Sequence, residues 1–195
     1  MREVFYEESA KVADEIKARR KYGILKTISV TFYVIAGLWA MLVYFAYDFS
    51  GDGILYTVLF VAVPFVYCIV SGIIFGRLKD KAYIDYDYTF VSGSIRFSKV
   101  INNIKRKNIV KFDCSSIERI GRYGSETFER YLLMPNKKVN VLTSNIKTVD
   151  TASLYYIVAD VSGGKNVFVL ECSERFISNI LVFVNRTVIE EGFFK

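Results

Sequence analysis

Two uncharged stretches dominate the pattern of apolar and polar positions along the chain. They cover residues 27–47, which are 21 residues, and residues 54–76, which are 23 residues. At about 1.5 Å per residue, a helix of either length exceeds the hydrocarbon core of about 30 Å. The pattern therefore predicts a transmembrane hairpin within residues 23–81, with spans at about 27–47 and 54–76. Two buried core helices of a soluble protein, the alternative, would be shorter and would have polar faces.

Charges beside the two stretches predict their orientation, because Lys and Arg stay on the cytoplasmic side. The loop 48–53 between the spans has two aspartates and no base. Basic residues instead flank the other end of each span: Lys17, Arg19, Arg20, Lys21, Lys26, Arg77, Lys79 and Lys81. Both termini are thus expected in the cytoplasm, in a two-span protein of the cell membrane. A cleaved signal peptide is disfavoured by the length of the leader, by the five acidic residues within it and by the long apolar run.

The segment before the first span has apolar residues at roughly helical spacing, namely Phe5, Val12, Ala13 and Ile16. This pattern predicts an amphipathic juxtamembrane helix over residues 1–22. Such a helix is either an interfacial anchor or a solvated extension of the span.

Gly72 and Gly76 form a Gly-x-x-x-Gly motif in the second span, where missing side chains let two backbones approach closely. They are the candidate helix-packing residues. Packing against Ala36 and Ala40 of the first span is one reading, and a homodimer through Gly72 and Gly76 is the other. Pro64 is expected to kink this span.

From residue 82 the pattern changes to alternation, which is typical of strands. Residues 84–90, 95–101, 108–114, 131–134, 139–143, 152–161 and 166–172 are predicted as about seven short strands. A capping box at Ser115–Glu118 predicts one helical turn through Ile120, followed by a flexible stretch over 121–130. From Ser173 an amphipathic helix of roughly eighteen residues is expected to close the sheet.

This order of elements resembles small bacterial membrane proteins with two N-terminal spans and a cytoplasmic pleckstrin-homology-like (PH-like) domain. The segment Phe112–Ile120 is similar to their Ser-x-Ile-x-x-Ile passage. The resemblance implies an α+β fold: a two-helix transmembrane hairpin, then at 82–195 an antiparallel β-sandwich or barrel capped by a C-terminal helix. Many members of such families have no assigned function, so the resemblance implies a scaffold and no particular activity. Arg96 is the only base within 90–97, where phosphoinositide-binding relatives carry several, so the resemblance does not extend to their binding pocket.

The composition of the chain excludes several kinds of catalytic and metal-binding site. The chain has no histidine, which excludes Ser-His-Asp and Cys-His catalysis and imidazole zinc sites. Cys68, Cys114 and Cys172 form no Cys-x-x-Cys pair, so we expect no metal, no cofactor and no catalytic residue. Asp85 and Asp87 share a strand face and could do acid/base work, but solvated surface positions are the simpler interpretation.

The densest basic cluster of the predicted soluble domain comprises Lys99, Lys105, Arg106, Lys107 and Lys111. It predicts either contact with anionic lipid or a solvated hairpin loop. Residues 82–195 have 16 bases and 12 acids, a net charge of only +4, and no recognition helix or platform of exposed aromatic residues is predicted, so nucleic acid is not favoured as a partner. The expected partners are membrane lipids and an unknown protein. The expected function is a non-enzymatic membrane protein presenting a binding or scaffolding module; the alternative is an accessory subunit that binds a larger membrane enzyme or transporter through its hairpin.

Overall fold

The computed structural model describes residues 4–46, 53–135, 137–190 and 193. The chain forms two compact units. One contains the described residues up to Ala13 together with those from Ile84 onward, and the other lies within Asp14–Tyr83. The helical unit is therefore an insertion in the chain of the sheet unit.

The helical unit consists of α1 (Glu15–Ala46), the short α2 (Ile54–Thr57), a π-helical turn (Val58–Ala62) and α3 (Val63–Ala82). Glu15–Phe45 and Val58–Ala82 are each long and apolar enough to cross a membrane. Gly53 is the one described residue of the predicted loop 48–53, so the charges of that loop lie outside the described residues. The elements of this unit thus match the predicted pair of apolar helices.

Trp39 lies in the C-terminal third of α1, and a hydrogen bond accounts for its position. Its indole Nε1 donates to the carbonyl of Val61 at 3.3 Å. Val61 belongs to the π-helical turn immediately before α3, where Pro64 follows within the first helical turn and lacks an N–H. An indole N–H among apolar side chains needs an acceptor, and the irregular turn supplies one.

The sheet unit contains two four-stranded sheets. The first has the order β1-β2-β3-β4 and is antiparallel throughout. The second has the order β5-β7-β8-β6, with β6 parallel to β8. The bounds are β1 Phe5–Ala10, β2 Ile84–Val91, β3 Ser94–Ile101, β4 Lys105–Asp113, β5 Ile117–Arg122, β6 Lys138–Val141, β7 Leu154–Val161 and β8 Gly164–Glu171.

The predicted helix over residues 1–22 is wrong for most of its described length. Residues 5–10 form β1, which pairs with β2 from Phe5 opposite Val91 to Ala10 opposite Tyr86. Helix α1 begins only at Glu15, after Asp14. Few residues of the segment are apolar, so its pattern is weak, and pairing with β2 across the inserted helices decides its conformation. The local pattern of apolar residues does not predict this pairing.

Three further predictions differ from the structure. Residues 114–116 form a 3-10 turn and residues 117–122 form β5, where a helical turn was expected. The expected flexible stretch and the strand 131–134 are largely replaced by α4 (Glu126–Leu133), because the hydroxyl of Ser125 accepts from the Phe128 N–H at 3.2 Å and caps a helix. The final helix, α5 (Glu174–Leu181), has 8 residues rather than about eighteen.

The core lies between the two sheets. Phe97 of β3 and Phe112 of β4 meet Phe168 of β8, whose ring stacks on that of Phe112 at 5.3 Å. The hydroxyl of Tyr88 joins the sheets by donating to the Leu142 carbonyl at 2.5 Å and accepting from the Glu171 N–H at 3.3 Å. One side is closed by α5, which buries Phe176, Ile177 and Ile180.

A glycine in β5 provides a test of this packing. A Cβ at Gly121 would overlap the Glu190 carboxylate and lie 2.5 Å from the ring of Tyr156. We expect Gly121→Ala to lower the free energy of unfolding by about 1–3 kcal/mol. It should also speed hydrogen exchange at the Glu190 N–H, which donates to the Ile120 carbonyl at 2.9 Å. Near-UV circular dichroism of the full chain in detergent during denaturation measures the first effect.

Gly164→Ala is the matched control, because a Cβ there has no heavy atom within 4 Å. Equal destabilisation by the two substitutions would contradict the packing described for Gly121.

Candidate functional site: a basic hairpin and a buried polar clamp

Four of the five predicted basic residues lie on β4, and all five belong to the hairpin of β3 and β4. The turn is tight, because Asn102 and Asn103 have φ angles of 52° and 54°, a conformation that asparagine tolerates. Ile104 follows the turn with 83% of its surface exposed. The end of the hairpin therefore combines an exposed apolar side chain with flanking bases.

The strand register divides the basic cluster between two faces. Lys99 pairs directly with Lys107, and Lys105 lies two residues from Lys107 on the same face. Arg106 and Lys111 lie on the opposite face, since Val100 and Arg96 are their partners. The five bases that sequence density groups together are thus not one patch.

Arg106 is compensated by carboxylates within the sheet. Its guanidinium lies 2.6 Å from Asp87 and 3.3 Å from Glu7. These contacts join β4 to β2 and β1 across the intervening β3. Arg106 therefore forms ion pairs within the sheet, and among the five basic residues its charge is the least available to an external anion.

Among the residues that the structure describes, two like-charged pairs have no carboxylate within salt-bridge distance. Lys99 lies directly opposite Lys107, and Arg96 lies directly opposite Lys111. Like charges at directly opposed positions destabilise a sheet. An anion near either pair would relieve the repulsion, which gives these positions a physical reason to contact anionic groups.

Asp85 and Asp87 are buried, with 4% and 5% of their surface exposed, so their interpretation as solvated positions is wrong. Asp85 accepts from the Val12 N–H at 2.8 Å. Asp87 accepts from the hydroxyl of Ser9 at 2.6 Å and pairs with Arg106. Both carboxylates thus bind chain segments at the edge of the first sheet.

A second group of buried polar side chains surrounds the points where the chain leaves and re-enters the sheet unit. Asn145, 4% exposed, accepts from the Ala13 N–H at 2.8 Å and donates to the Lys11 carbonyl at 2.6 Å. Its amide also donates to the Glu171 carboxylate at 3.0 Å. We call the buried Asn145, Asp85 and Thr143, together with the half-buried Glu171, the polar clamp.

The remaining contacts complete the clamp. Thr143 donates to the Glu171 carboxylate, and its hydroxyl accepts from the Asn145 N–H at 3.0 Å. Beside the clamp, Ser144 donates to the Ile84 carbonyl at 2.7 Å. Sequence reasoning missed this group because its members come from distant segments; the polar run Thr143–Asn145 was the only local signal.

The cysteines of the sheet unit lie in the core as small apolar residues. Cys114 and Cys172 are each 5% exposed. Burial raises the pKa of the Cys114 thiol to about 11 and that of Cys172 well above its ordinary value. Both thiols are therefore protonated and unreactive at neutral pH. Among the described residues there is no cluster of three Cys, Asp or Glu side chains that could hold a metal ion.

Gly72 and Gly76 both face α1 within the same chain. A Cβ at Gly72 would lie 2.9 Å from the ring of Tyr33, and one at Gly76 would lie 3.4 Å from the Ser29 hydroxyl. Ser29 also donates to the Gly72 carbonyl at 2.7 Å. The small residues named as partners by sequence are thus replaced by Ser29 and Tyr33, although Ala36 is buried nearby on α1.

Two four-stranded sheets with a helix closing one side define an α+β protein of the PH-like class. The chain belongs to the family described as bacterial PH-like domain (DUF6106), whose model matches residues 17–190. This confirms the resemblance derived from the order of elements. The match begins after β1, so the first strand lies outside the matched residues. Comparison with curated proteins and with solved structures finds no match.

Replacing Asn145, the central residue of the polar clamp, should change hydrogen exchange at particular backbone amides. Asn145→Ala leaves the Lys11 carbonyl and the Ala13 N–H without their partner, so we expect a loss of about 2–3 kcal/mol in the free energy of unfolding. Hydrogen exchange of the Ala13 amide should accelerate more than that of Val12, whose acceptor is Asp85.

The exposed Asn185→Ala is the control for general effects of losing an amide. If Val12 and Ala13 accelerated to the same extent in Asn145→Ala, the separate roles given to Asp85 and Asn145 would be refuted.

Proposed function

We propose that this protein is a non-enzymatic membrane protein whose PH-like unit is a binding or scaffolding module, held at the cytoplasmic face by a two-span hairpin. One observation carries the proposal: the apolar helices are inserted between β1 and β2, which are hydrogen-bonded neighbours in one sheet. Both ends of the insertion must therefore lie on the same side of a membrane, which requires an even number of crossings.

The exposure of the helices supports this assignment. Only 17% of the most apolar window of Glu15–Phe45 and 11% of that of Val58–Ala82 are buried. A core helix of a soluble protein would be mostly buried, because exposed apolar surface costs about 25 cal/mol per Å² in water. Lipid is the environment that removes this cost.

The side occupied by the module follows from charge. The first turns of α1 and the last turn of α3 carry Lys17, Lys21, Lys79 and Lys81. Since basic residues beside a span stay on the cytoplasmic side, this charge pattern supports a cytoplasmic position of the sheet unit.

Thiol labelling tests this topology. A cysteine introduced by Ser50→Cys, between the spans, should react with a membrane-impermeant maleimide in spheroplasts. One introduced by Lys147→Cys, at an exposed position of the sheet unit, should react only after permeabilisation. Background from the two cysteines of the sheet unit should be low, because Cys114 and Cys172 are buried.

The unsubstituted chain measures that background. Labelling of Lys147→Cys in intact spheroplasts would place the module outside, and equal labelling of both variants before permeabilisation would refute the two-span hairpin.

For the hairpin of β3 and β4, we propose contact with anionic lipid headgroups. The unrelieved Lys99–Lys107 pair and the exposed Ile104 are the features that support it. Each base near an anionic leaflet contributes about 1 kcal/mol within a Debye length. An exposed isoleucine beside these bases adds apolar surface that can enter the headgroup region.

A fluorophore at the end of the hairpin reports on this contact. The full chain carrying Ile104→Cys with an environment-sensitive dye should show a blue shift in anionic nanodiscs relative to zwitterionic ones. Lys99→Glu with Lys107→Glu should abolish the shift, and added salt should weaken it. Lys147→Glu should leave it unchanged, and a shift that persists in the Lys99→Glu, Lys107→Glu variant would rule out this contact.

The accessory-subunit alternative receives less support. Gly72 and Gly76, its expected contact residues, are already opposed by Tyr33 and Ser29 of the same chain. The same geometry disfavours a homodimer through these glycines, because a second helix could approach them only by displacing α1.

A further inference from the structure

The two sides of the β-sandwich differ in whether another segment of the chain covers them. On one side, α5 packs against β1: the Glu8 carboxylate accepts from the Ser173 N–H at 2.7 Å, and the rings of Tyr6 and Phe176 lie 5.9 Å apart. On the same side, Ile189 forms a parallel bridge to Ile120 of β5. This side is closed by the chain's own C-terminal segment.

The other side is open. It is bordered by β4 of the first sheet and β6 of the second, each the last strand in its sheet. Among the described residues, neither strand has a hydrogen-bonded neighbour on its outer edge. A cleft of about 330 Å³ lies between them, with Ile109 and Asn140 on its two walls and Phe168 among its lining residues.

Apolar side chains on these edge strands remain exposed. Ile109, which lines the cleft, is 40% exposed; Val139 and Val141, on the face of β6 opposite to the cleft-lining Lys138 and Asn140, are 41% and 40% exposed. An unpaired edge with exposed apolar side chains is a template for another strand. The longer template is β4, with 9 residues against 4 in β6.

The charge of the cleft indicates which kind of additional strand could bind there. Lys138 and Lys165 line it, and none of its described lining residues is acidic. Lys165 is paired with Glu118 at 2.8 Å, whereas Lys138 is exposed. Lys107 and Lys111 of β4 are exposed as well. A second copy of β4 would oppose lysines with lysines, whereas an acidic strand would pair opposite charges.

We propose that the open side binds an extended acidic segment of a partner protein, which adds to the outer edge of β4 as a further strand. Backbone hydrogen bonds to β4 supply affinity, Ile109 receives apolar side chains, and Lys138 selects carboxylates. The inference rests on the proposed binding function of the module and names the partner's chemistry.

The test uses the full chain in nanodiscs and a dye-labelled peptide of alternating glutamate and valine with the 9-residue length of β4. Fluorescence anisotropy should show binding, and hydrogen exchange should slow at residues 107–111. Lys138→Glu should weaken binding at least about fivefold, whereas Lys147→Glu, which reverses a charge away from the cleft lining, should not.

Two peptide controls separate strand addition from simple charge attraction. The same peptide with lysine in place of glutamate, and one with proline at alternate positions to remove N–H donors, should both bind poorly. Equal binding of the proline peptide, equal weakening by Lys138→Glu and Lys147→Glu, or protection outside β4 and β6 would overturn the inference. Thiol labelling at Ser50→Cys and Lys147→Cys reads the membrane topology independently, so failure of peptide binding is distinguishable from failure of the proposed function.

Discussion

The pairing of β1 with β2 is the constraint on which the rest of the structure depends. Two segments separated by the whole helical insertion lie side by side in one antiparallel ladder. The insertion itself lowers the cost of this closure, because α1 and α3 pack together and the Tyr83 hydroxyl donates to the Glu15 carboxylate at 2.8 Å. The ends of the insertion are thus held close, and the entropy lost on closing the ladder is smaller than for a flexible loop.

The ladder also explains why the polar clamp is buried. Where β1 ends, the chain leaves the sheet, and its amide and carbonyl groups lose their strand partners. Buried backbone groups without partners are costly, so side chains must supply the missing hydrogen bonds. Asn145 and Asp85 do so for residues 11–13. Carboxylates that looked like surface positions are required in the interior by this local need.

Sequence reasoning succeeded where the signal is local. Strands β2 and β3 follow from alternation, and β7 and β8 follow from short apolar runs that are buried in the structure. The tight turn between β7 and β8 has positive φ angles at Ser162, 57°, and Gly163, 75°. It failed for β1 and β5, whose partners are distant in sequence. For β5, serines before an acidic residue resemble a helix cap, but Ile117 and Ile120 are buried in the core and pairing with β7 prevails over that local preference.

The same distinction holds for the basic cluster. Density along the chain identified the five bases, but only the register shows that Lys99 faces Lys107 while Arg106 meets Asp87 and Glu7. The sheet therefore compensates a basic residue where strands must be joined and leaves others opposed to like charge. Because a folded sheet gains nothing from such opposition, the uncompensated lysines are the ones whose charge is available to an anionic surface or segment.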